Sequence, residues 1–336
     1  MKIIIPMAGR GSRLRPHTLT VPKPLIPVGG KPIVHRLVED IAGVLNEPID
    51  EIGFVIGDFG KEVEEELIKV AESLGAKGRI FHQLEPLGTA HAVLCAKELL
   101  EGPVVVAFAD TLFKADFTIN PEDNGILWVK KIENPSAFGV VKMNEKGEII
   151  DFVEKPQTFV SDLAMIGVYY FKSGEDLHTE LNYLVDNDII KGGEYQLPDA
   201  LRRLTEKGKL FKPGEVNEWL DCGNKVVTVH TNQRVLEFDK ERNIDLIDAS
   251  ATITNSVIVP PCYIGKDVVI SNSVIGPHVS VGANSKVVGS VISNTIIQEK
   301  STIEHTNLKD SMVGNHVVIK NKPQDLSVGD YTTIEH

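Results

Sequence analysis

Short, wholly apolar runs alternate with amphipathic stretches from the start of the chain as far as Asp110. The run over 3–7 reads as a buried strand. Val34, Leu37, Val38, Ile41 and Leu45 recur at helical spacing and predict a helix over 34–45. The alternation continues with a strand over 52–56, an acidic amphipathic helix over 60–74, a strand over 79–84 and a helix over 89–100. The strand that follows, over 104–109, is apolar throughout, as an interior parallel strand is. Repeated strand–helix units build an open, mostly parallel sheet covered by helices, a Rossmann-like α/β domain. Such sheets bind ligands beyond the carboxyl ends of their strands, which puts the loop 9–23 and Asp110 on one rim.

From 126 to 171 the pattern becomes strand-rich. A hairpin over 138–143 and 149–153 turns at Asn144-Glu145-Lys146-Gly147, and another strand covers 164–171. Helices follow over 176–185 and 196–207, a closing helix over 226–238, and a charged connector over 240–251. Then the period changes. Ile258, Ile264, Ile270, Ile275, Val281, Val287, Ile292, Ile297, Ile303, Leu308, Val313 and Ile319 are spaced by five or six residues, with Gly265, Gly276, Gly282 and Gly314 directly after four of them. That step belongs to neither helix nor flat strand. It is the step of a hexapeptide coil, in which each side of a triangle turns one branched side chain inward. A short left-handed parallel β-helix is expected over 251–322, after a catalytic domain over 1–239. The tail 323–336 has no assignment.

Composition narrows the function classes. With 42% hydrophobic and 24% charged residues the chain is an ordinary globular one, long enough for one large or two smaller domains. A net charge of -12 argues against a nucleic-acid or anionic-membrane surface. Cys95, Cys222 and Cys262 form no CxxC pair, so a disulfide framework or structural zinc is not expected, and a reducing, cytoplasmic setting is. No apolar run reaches the ~20 residues of a membrane span, and the apolar start is broken by Gly9 and Arg10. Charge is uneven, however. Residues 1–38 contain no acid but carry Lys2, Arg10, Arg13, Arg15, Lys23, Lys31 and Arg36. A local basic segment in an acidic chain points to a confined anion site.

The chemistry of that segment is specific. Gly9-Arg10-Gly11-Ser12-Arg13-Leu14-Arg15-Pro16 follows the first strand, and its glycines let backbone amides approach a phosphate. It lacks the third glycine of a dinucleotide fingerprint and the Gly-Lys-Ser/Thr of a P-loop, which makes a nicotinamide-dependent oxidoreductase remote. Pro22-Lys23-Pro24-Leu25 adds a lysine on a stiffened chain, suited to a polyphosphate whose charge changes in reaction.

The pattern GxGxRLxPxT…PKPL resembles the signature of the sugar-1-phosphate nucleotidyltransferases, and the resemblance extends from residue 1 to about 238, with the hexapeptide tail similar to the longer glucose-1-phosphate thymidylyltransferases. It implies that Ala8, Gly9, Gly11, Ser12, Arg13 and Lys23 bind a nucleoside triphosphate. Gln83-Leu84-Glu85-Pro86-Leu87-Gly88-Thr89-Ala90 resembles the base-binding segment, with Gln83, Pro86, Gly88 and Thr89 as contacts. A glutamine amide both donates and accepts, so Gln83 can read the N3–H and O4 edge of uracil or thymine. The resemblance further implies Mg²⁺ on Asp110 and Asp221, although many members have glycine where this chain has Ala109. Lys155 of Glu154-Lys155-Pro156 would hold the sugar phosphate, Glu154 the sugar hydroxyls, and Gly139 would touch the sugar through its backbone.

The expected reaction is in-line attack of a sugar 1-phosphate, glucose 1-phosphate first, on the α-phosphorus of dTTP or UTP, with loss of pyrophosphate. Arg13, Lys23, Asp110 and Lys155 are the expected catalytic groups, and assembly into a homo-oligomer through the β-helix is expected. Three alternatives stand beside this: guanylyl transfer to mannose 1-phosphate, a non-catalytic regulatory homologue, and a second, acyltransferase activity using His278, His305 or His316.

Overall fold

The computed structural model describes residues 1–9, 11–45, 47–117, 119–120, 122–322 and 327–333. Arg10 of the glycine loop and tail residues 323–326 and 334–336 therefore lie outside the described residues. The remaining tail residues, 327–333, are exposed and form neither strand nor helix. The chain divides into two compact units, Met1–Ile26 with Lys31–Gly223, and Pro27–Gly30 with Asn224–His336.

The first unit is built on a nine-stranded sheet among the described residues. Its strands are β1 (Lys2–Pro6), β2 (Glu51–Ile56), β3 (Lys77–His82), β4 (Val104–Ala107), β6 (Gly125–Lys131), β7 (Gly139–Met143), β8 (Ile149–Glu154), β9 (Leu163–Phe171) and β10 (Phe211–Glu215). Two further strands, β5 (Thr111–Lys114) and β11 (Glu218–Asp221), pair with each other apart from that sheet. The order across the sheet is β3-β2-β1-β4-β9-β6-β10-β8-β7. β1 is parallel to β2 and β4, and β2 to β3, as the alternation of apolar runs predicts. β9 enters antiparallel to β4, with Val168 opposite Ala107. This reverses the sense of pairing, so the start of β9 reaches the rim where β1 to β4 end.

Helices cover the sheet because one stripe of each is apolar. α1 (Ile33–Val44) buries Val34, Leu37, Val38 and Ile41; α2 (Lys61–Ser73), α3 (Thr89–Cys95), α4 (Gly174–Asp186) and α5 (Leu197–Glu206) follow. The helix expected over 89–100 stops at Cys95, and a separate 3₁₀ turn covers Lys97–Leu99.

The second unit contains α6 (Lys225–Glu241) and three parallel sheets of five, four and four short strands among the described residues. This is the left-handed β-helix architecture anticipated from the five-to-six-residue step. Ile270 stacks on Val287, and Val287 on Ile303, so three of those steps close one coil. These side chains are fully buried, each contributing about 1.5–3 kcal/mol of hydrophobic stabilisation. Corners are turned by residues in the left-handed region, among them Asn272, Asn284, His278, His305 and His316. Asn, Asp and His are the non-glycine residues that most readily adopt it. The three histidines weighed as acyltransferase bases thus occupy the same kind of backbone position as the corner asparagines. His278 is further tied down: its Nε2 is 3.0 Å from Glu237 Oε1, and its carbonyl accepts a hydrogen bond from Asn232.

Candidate active site

The carboxyl ends of β1, β3 and β4 release three loops that hold most of the sequence-predicted residues. The first runs from Ala8 to Lys23. Gly9 is open, and an added Cβ would meet nothing within 4 Å, leaving room for a phosphate group. Gly11 is the opposite case. Its φ is +57° and a Cβ there would lie 2.9 Å from Lys23 Cβ, so only glycine lets the loop fold onto the lysine. The Thr18 hydroxyl closes the loop by donating to Gly11 O at 2.8 Å. Ser12 and Arg13, in the short turn Ser12–Leu14, are exposed, whereas Leu14 anchors the turn in the core.

Lys23 is only 8% exposed, and its Nζ lies 3.1 Å from Asp110 Oδ2. Asp110 is set by the end of β4 and by β5: Cys222 N–H donates to Asp110 O at 3.0 Å, and Asp221 pairs with Thr111 across the antiparallel β5–β11 ladder. Two aspartates far apart in sequence therefore converge. Burial pushes the Asp221 carboxyl above its ordinary range; Lys23 pulls it back, Asp110 raises it again, and the Gly223 amide and Arg13 lower it. Arg13, Lys23, Asp110 and Asp221 thus share one electrostatic neighbourhood.

Gly139, Glu154 and Lys155 gather at the same rim through the β7–β8 hairpin, where Gly139 pairs with Glu154. A Cβ on Gly139 would lie 2.8 Å from Glu154 Oε2 and 2.5 Å from Met165 Cε, so the absent side chain makes room for both. Lys155 adopts a left-handed conformation, φ 43°, rare for a non-glycine residue, and its N–H donates to Phe138 O at 3.1 Å. Its Nζ stands 3.8 Å from Glu154 Oε1, with the side chain 67% exposed.

The segment from Gln83 to Ala90 is fixed by backbone bonds. Tyr195 N–H donates to Leu87 O at 2.8 Å, and Ala90 N–H donates to Tyr195 O at 3.0 Å. Thr89 Oγ1 accepts from Leu197 N–H at 2.9 Å. Gly88, at φ +107°, has no room for a Cβ, which would be 2.5 Å from Tyr195 O. Pro86 is exposed beside it.

Three contributors have partners that the sequence does not mark. Tyr169, from β9, has its phenol pushed up by burial and then by the carboxylates of Glu154 and Asp110, so it shares the electrostatic neighbourhood of both. Trp219 donates from Nε1 to Thr111 Oγ1 at 2.6 Å and packs edge-on against Phe138, 4.8 Å between ring centroids, joining β11 to the segment before Gly139. His91 lies against Gln83. The only advance sign of His91 was its place two residues after Thr89. Tyr169 sits in an apolar run that reads as core, and nothing local to Trp219 marks its partners. A separate cavity of about 360 Å³ lies at the opposite ends of the strands, lined by Asn124, Lys172 and Phe211 among others, and contains none of the predicted residues.

The sequence profile of the family described as Nucleotidyl transferase matches residues 2–237. The Low-salt glycan biosynthesis nucleotidyltransferase Agl11 of Haloferax volcanii is 30% identical over 265 residues, covering 76% of this chain and 72% of that protein. The Bifunctional protein GlmU of Methanococcus vannielii is 31% identical over 77% of this chain, which spans only 61% of that longer relative. Glucose-1-phosphate thymidylyltransferase of Streptomyces griseus is 27% identical and matches nearly end to end, over 96% of this chain and 95% of that one. Among solved structures, a nucleoside-diphosphate-sugar pyrophosphorylase from Vibrio cholerae RC9 superposes with a TM-score of 0.59 at 22% identity, covering 69% of this chain and 99% of its own, which speaks to the fold alone.

Proposed function

Because the chain belongs to the nucleotidyl transferase family, we propose that it transfers a nucleotidyl group from dTTP or UTP to the phosphate of glucose 1-phosphate and releases pyrophosphate. The observation that carries this reading is the convergence of Asp110 and Asp221 beside Lys23, at the rim where a glycine loop opens. The near end-to-end match to a thymidylyltransferase supports the choice of substrates.

The donor set fits magnesium. The ion takes few protein carboxylates and fills its other positions with phosphate oxygens and water. Asp110 is half exposed, and Asp221 carries a carboxyl raised by burial and by Asp110, so a cation there relieves the cost of ionising both. When bound, the ion offsets charge on the triphosphate oxygens. The chain's own groups supply the rest. Arg13 and Lys23 stabilise the triphosphate and the departing pyrophosphate. Lys155 draws in the sugar phosphate against the repulsion of two polyanions, Glu154 accepts from sugar hydroxyls, and Gln83 reads the base. The nucleophile is already an anion, so positioning and charge neutralisation suffice without a covalent intermediate.

We assign this chemistry to residues 1–239, in a cytoplasmic setting, and to the β-helix over 251–322 a role in homo-oligomer assembly. No helix among the described residues is long and apolar enough to cross a membrane. A screen of pyrophosphate release over four triphosphates and a panel of sugar 1-phosphates tests the proposal. Release is expected with dTTP or UTP and glucose 1-phosphate in Mg²⁺. Silence across the whole panel rejects the proposal. Light scattering of the full chain tests assembly, and a monomer rejects that role.

A further inference from the structure

Gln83 begins the loop after β3, and its N–H donates to Ile56 O at 2.8 Å. Its side-chain Nε2 lies 3.0 Å from the Gly88 carbonyl oxygen. A carbonyl oxygen can only accept, so the amide must turn its nitrogen, not its oxygen, toward Gly88. The same Nε2 is 3.1 Å from His91 Nδ1. An amide nitrogen can only donate, so Nδ1 has to accept, which requires a neutral ring with its proton on Nε2.

The surroundings agree. Burial pushes the His91 imidazole below its usual range, with Glu85 acting in the other direction. Cys95 Sγ lies 3.9 Å from the same Nδ1, and burial raises its thiol, so it too is a protonated group facing an acceptor. Both Nε2 protons of Gln83 are then committed inside the protein. What remains is Oε1, which has no partner among the described residues. The amide that could both donate and accept is reduced to an acceptor.

We infer that His91 is a positioning residue for base choice: with the Gly88 carbonyl it locks Gln83 as an acceptor-only reader of the base edge. Uracil and thymine present N3–H to that oxygen. Cytosine presents a lone pair at the same ring position, and acceptor faces acceptor. The inference rests on the proposal that Gln83 reads the base, and it adds what fixes the sense of that reading.

The tautomer can be read in the wild-type protein. In the full chain labelled with ¹⁵N-histidine, long-range proton–nitrogen spectra should show His91 protonated on Nε2, and an Nδ1–H ring overturns the inference. Base choice is measured by calorimetric titration of UTP, dTTP and CTP in Mg²⁺. Removing the acceptor in His91→Leu frees one Nε2 proton to donate to the base and leaves the Gly88 carbonyl as the single hold on the amide, so the UTP-over-CTP affinity ratio should fall about tenfold, the scale of one hydrogen bond. His91→Asn, whose Oδ1 can accept in place of Nδ1, should restore most of it. A ratio unchanged in folded His91→Leu but collapsed in Gln83→Ala overturns the role of His91 and leaves the base reading standing. A ratio unchanged in both variants removes the base reading itself.

Discussion

In the β-helix a residue meets its counterpart one coil away, whereas in the first unit its neighbours come from far along the chain. Ile270, Val287, Ile303 and Ile319 stack at intervals of a single coil, under a rule that repeats without reference to any other part of the sequence. Lys23 meets Asp110 across 87 residues, and Trp219 meets Thr111 across 108. Local repetition produces a rod of uniform sides. Long-range pairing produces singular places, and the one on the sheet rim combines a cradle without side chains, a buried cation and two crowded carboxylates. The lesson is that chemistry is concentrated where a position has no equivalent elsewhere in the fold.

Substitutions can break that contrast, most strongly at the singular positions. Asp110→Asn and Asp221→Asn should each lower turnover by about a hundredfold or more, the scale of losing a preorganised electrostatic group. Stability should move the other way for Asp221→Asn. The native carboxyl titrates above the ordinary value of 3.8, so the native state holds its proton more tightly than the unfolded chain. Stability is therefore lost as pH rises from that value through the raised one, and an amide avoids the loss. Thermal melts should show the variant more stable than wild type at pH 7, with the gain shrinking as pH falls toward 4. A lower melting temperature at pH 7 would refute this.

Next in size, Ile292→Ala in the coil, where the side chain is fully buried, should cost about 2–5 kcal/mol of that unit's stability. Nucleotidyl transfer per folded molecule should persist, and parallel loss of turnover would show that the two units do not separate as described. Lys155→Ala should weaken sugar-phosphate binding by about 1.5–3 kcal/mol and leave triphosphate binding nearly intact, with the reverse for Lys23→Ala. Equal losses of both ligands, measured by calorimetry, would reassign the two lysines. The smallest effects belong to the corners. Asn284→Ala should cost about 1–2 kcal/mol for its left-handed backbone, while Asn284→Gly and His316→Asn should be nearly neutral in denaturant melts.

The same contrast decides what could be read from the chain beforehand. The coil was legible because its period is local. The parallel strands were legible because Ile3, Ile4, Ile5 and Val104, Val105, Val106 are buried on both faces. Strands β5 and β11 were not, since Thr111–Lys114 and Glu218–Asp221 are short, partly polar and defined by each other. Strand β10 was not legible either, because it contains Pro213 and Gly214, residues disfavoured in strands, yet it pairs with both β6 and β8. In the candidate site the glycine loop, the lysines and the aspartates were legible as residue types. The influence of Glu154 and Asp110 on Tyr169 and the spent donor of Gln83 depend on partners that only the folded chain brings within reach.

The coil length sets a unit of growth. Adding or deleting one complete coil at a corner would carry each later inward-facing side chain, such as Ile292, Ile297 and Ile303, to an equivalent inward position. Losing a single residue inside a strand would turn the rest of that side out of phase. Length variation in this part of the molecule therefore favours whole turns, with single-residue differences taken up at the corners, as the five- and six-residue steps already show.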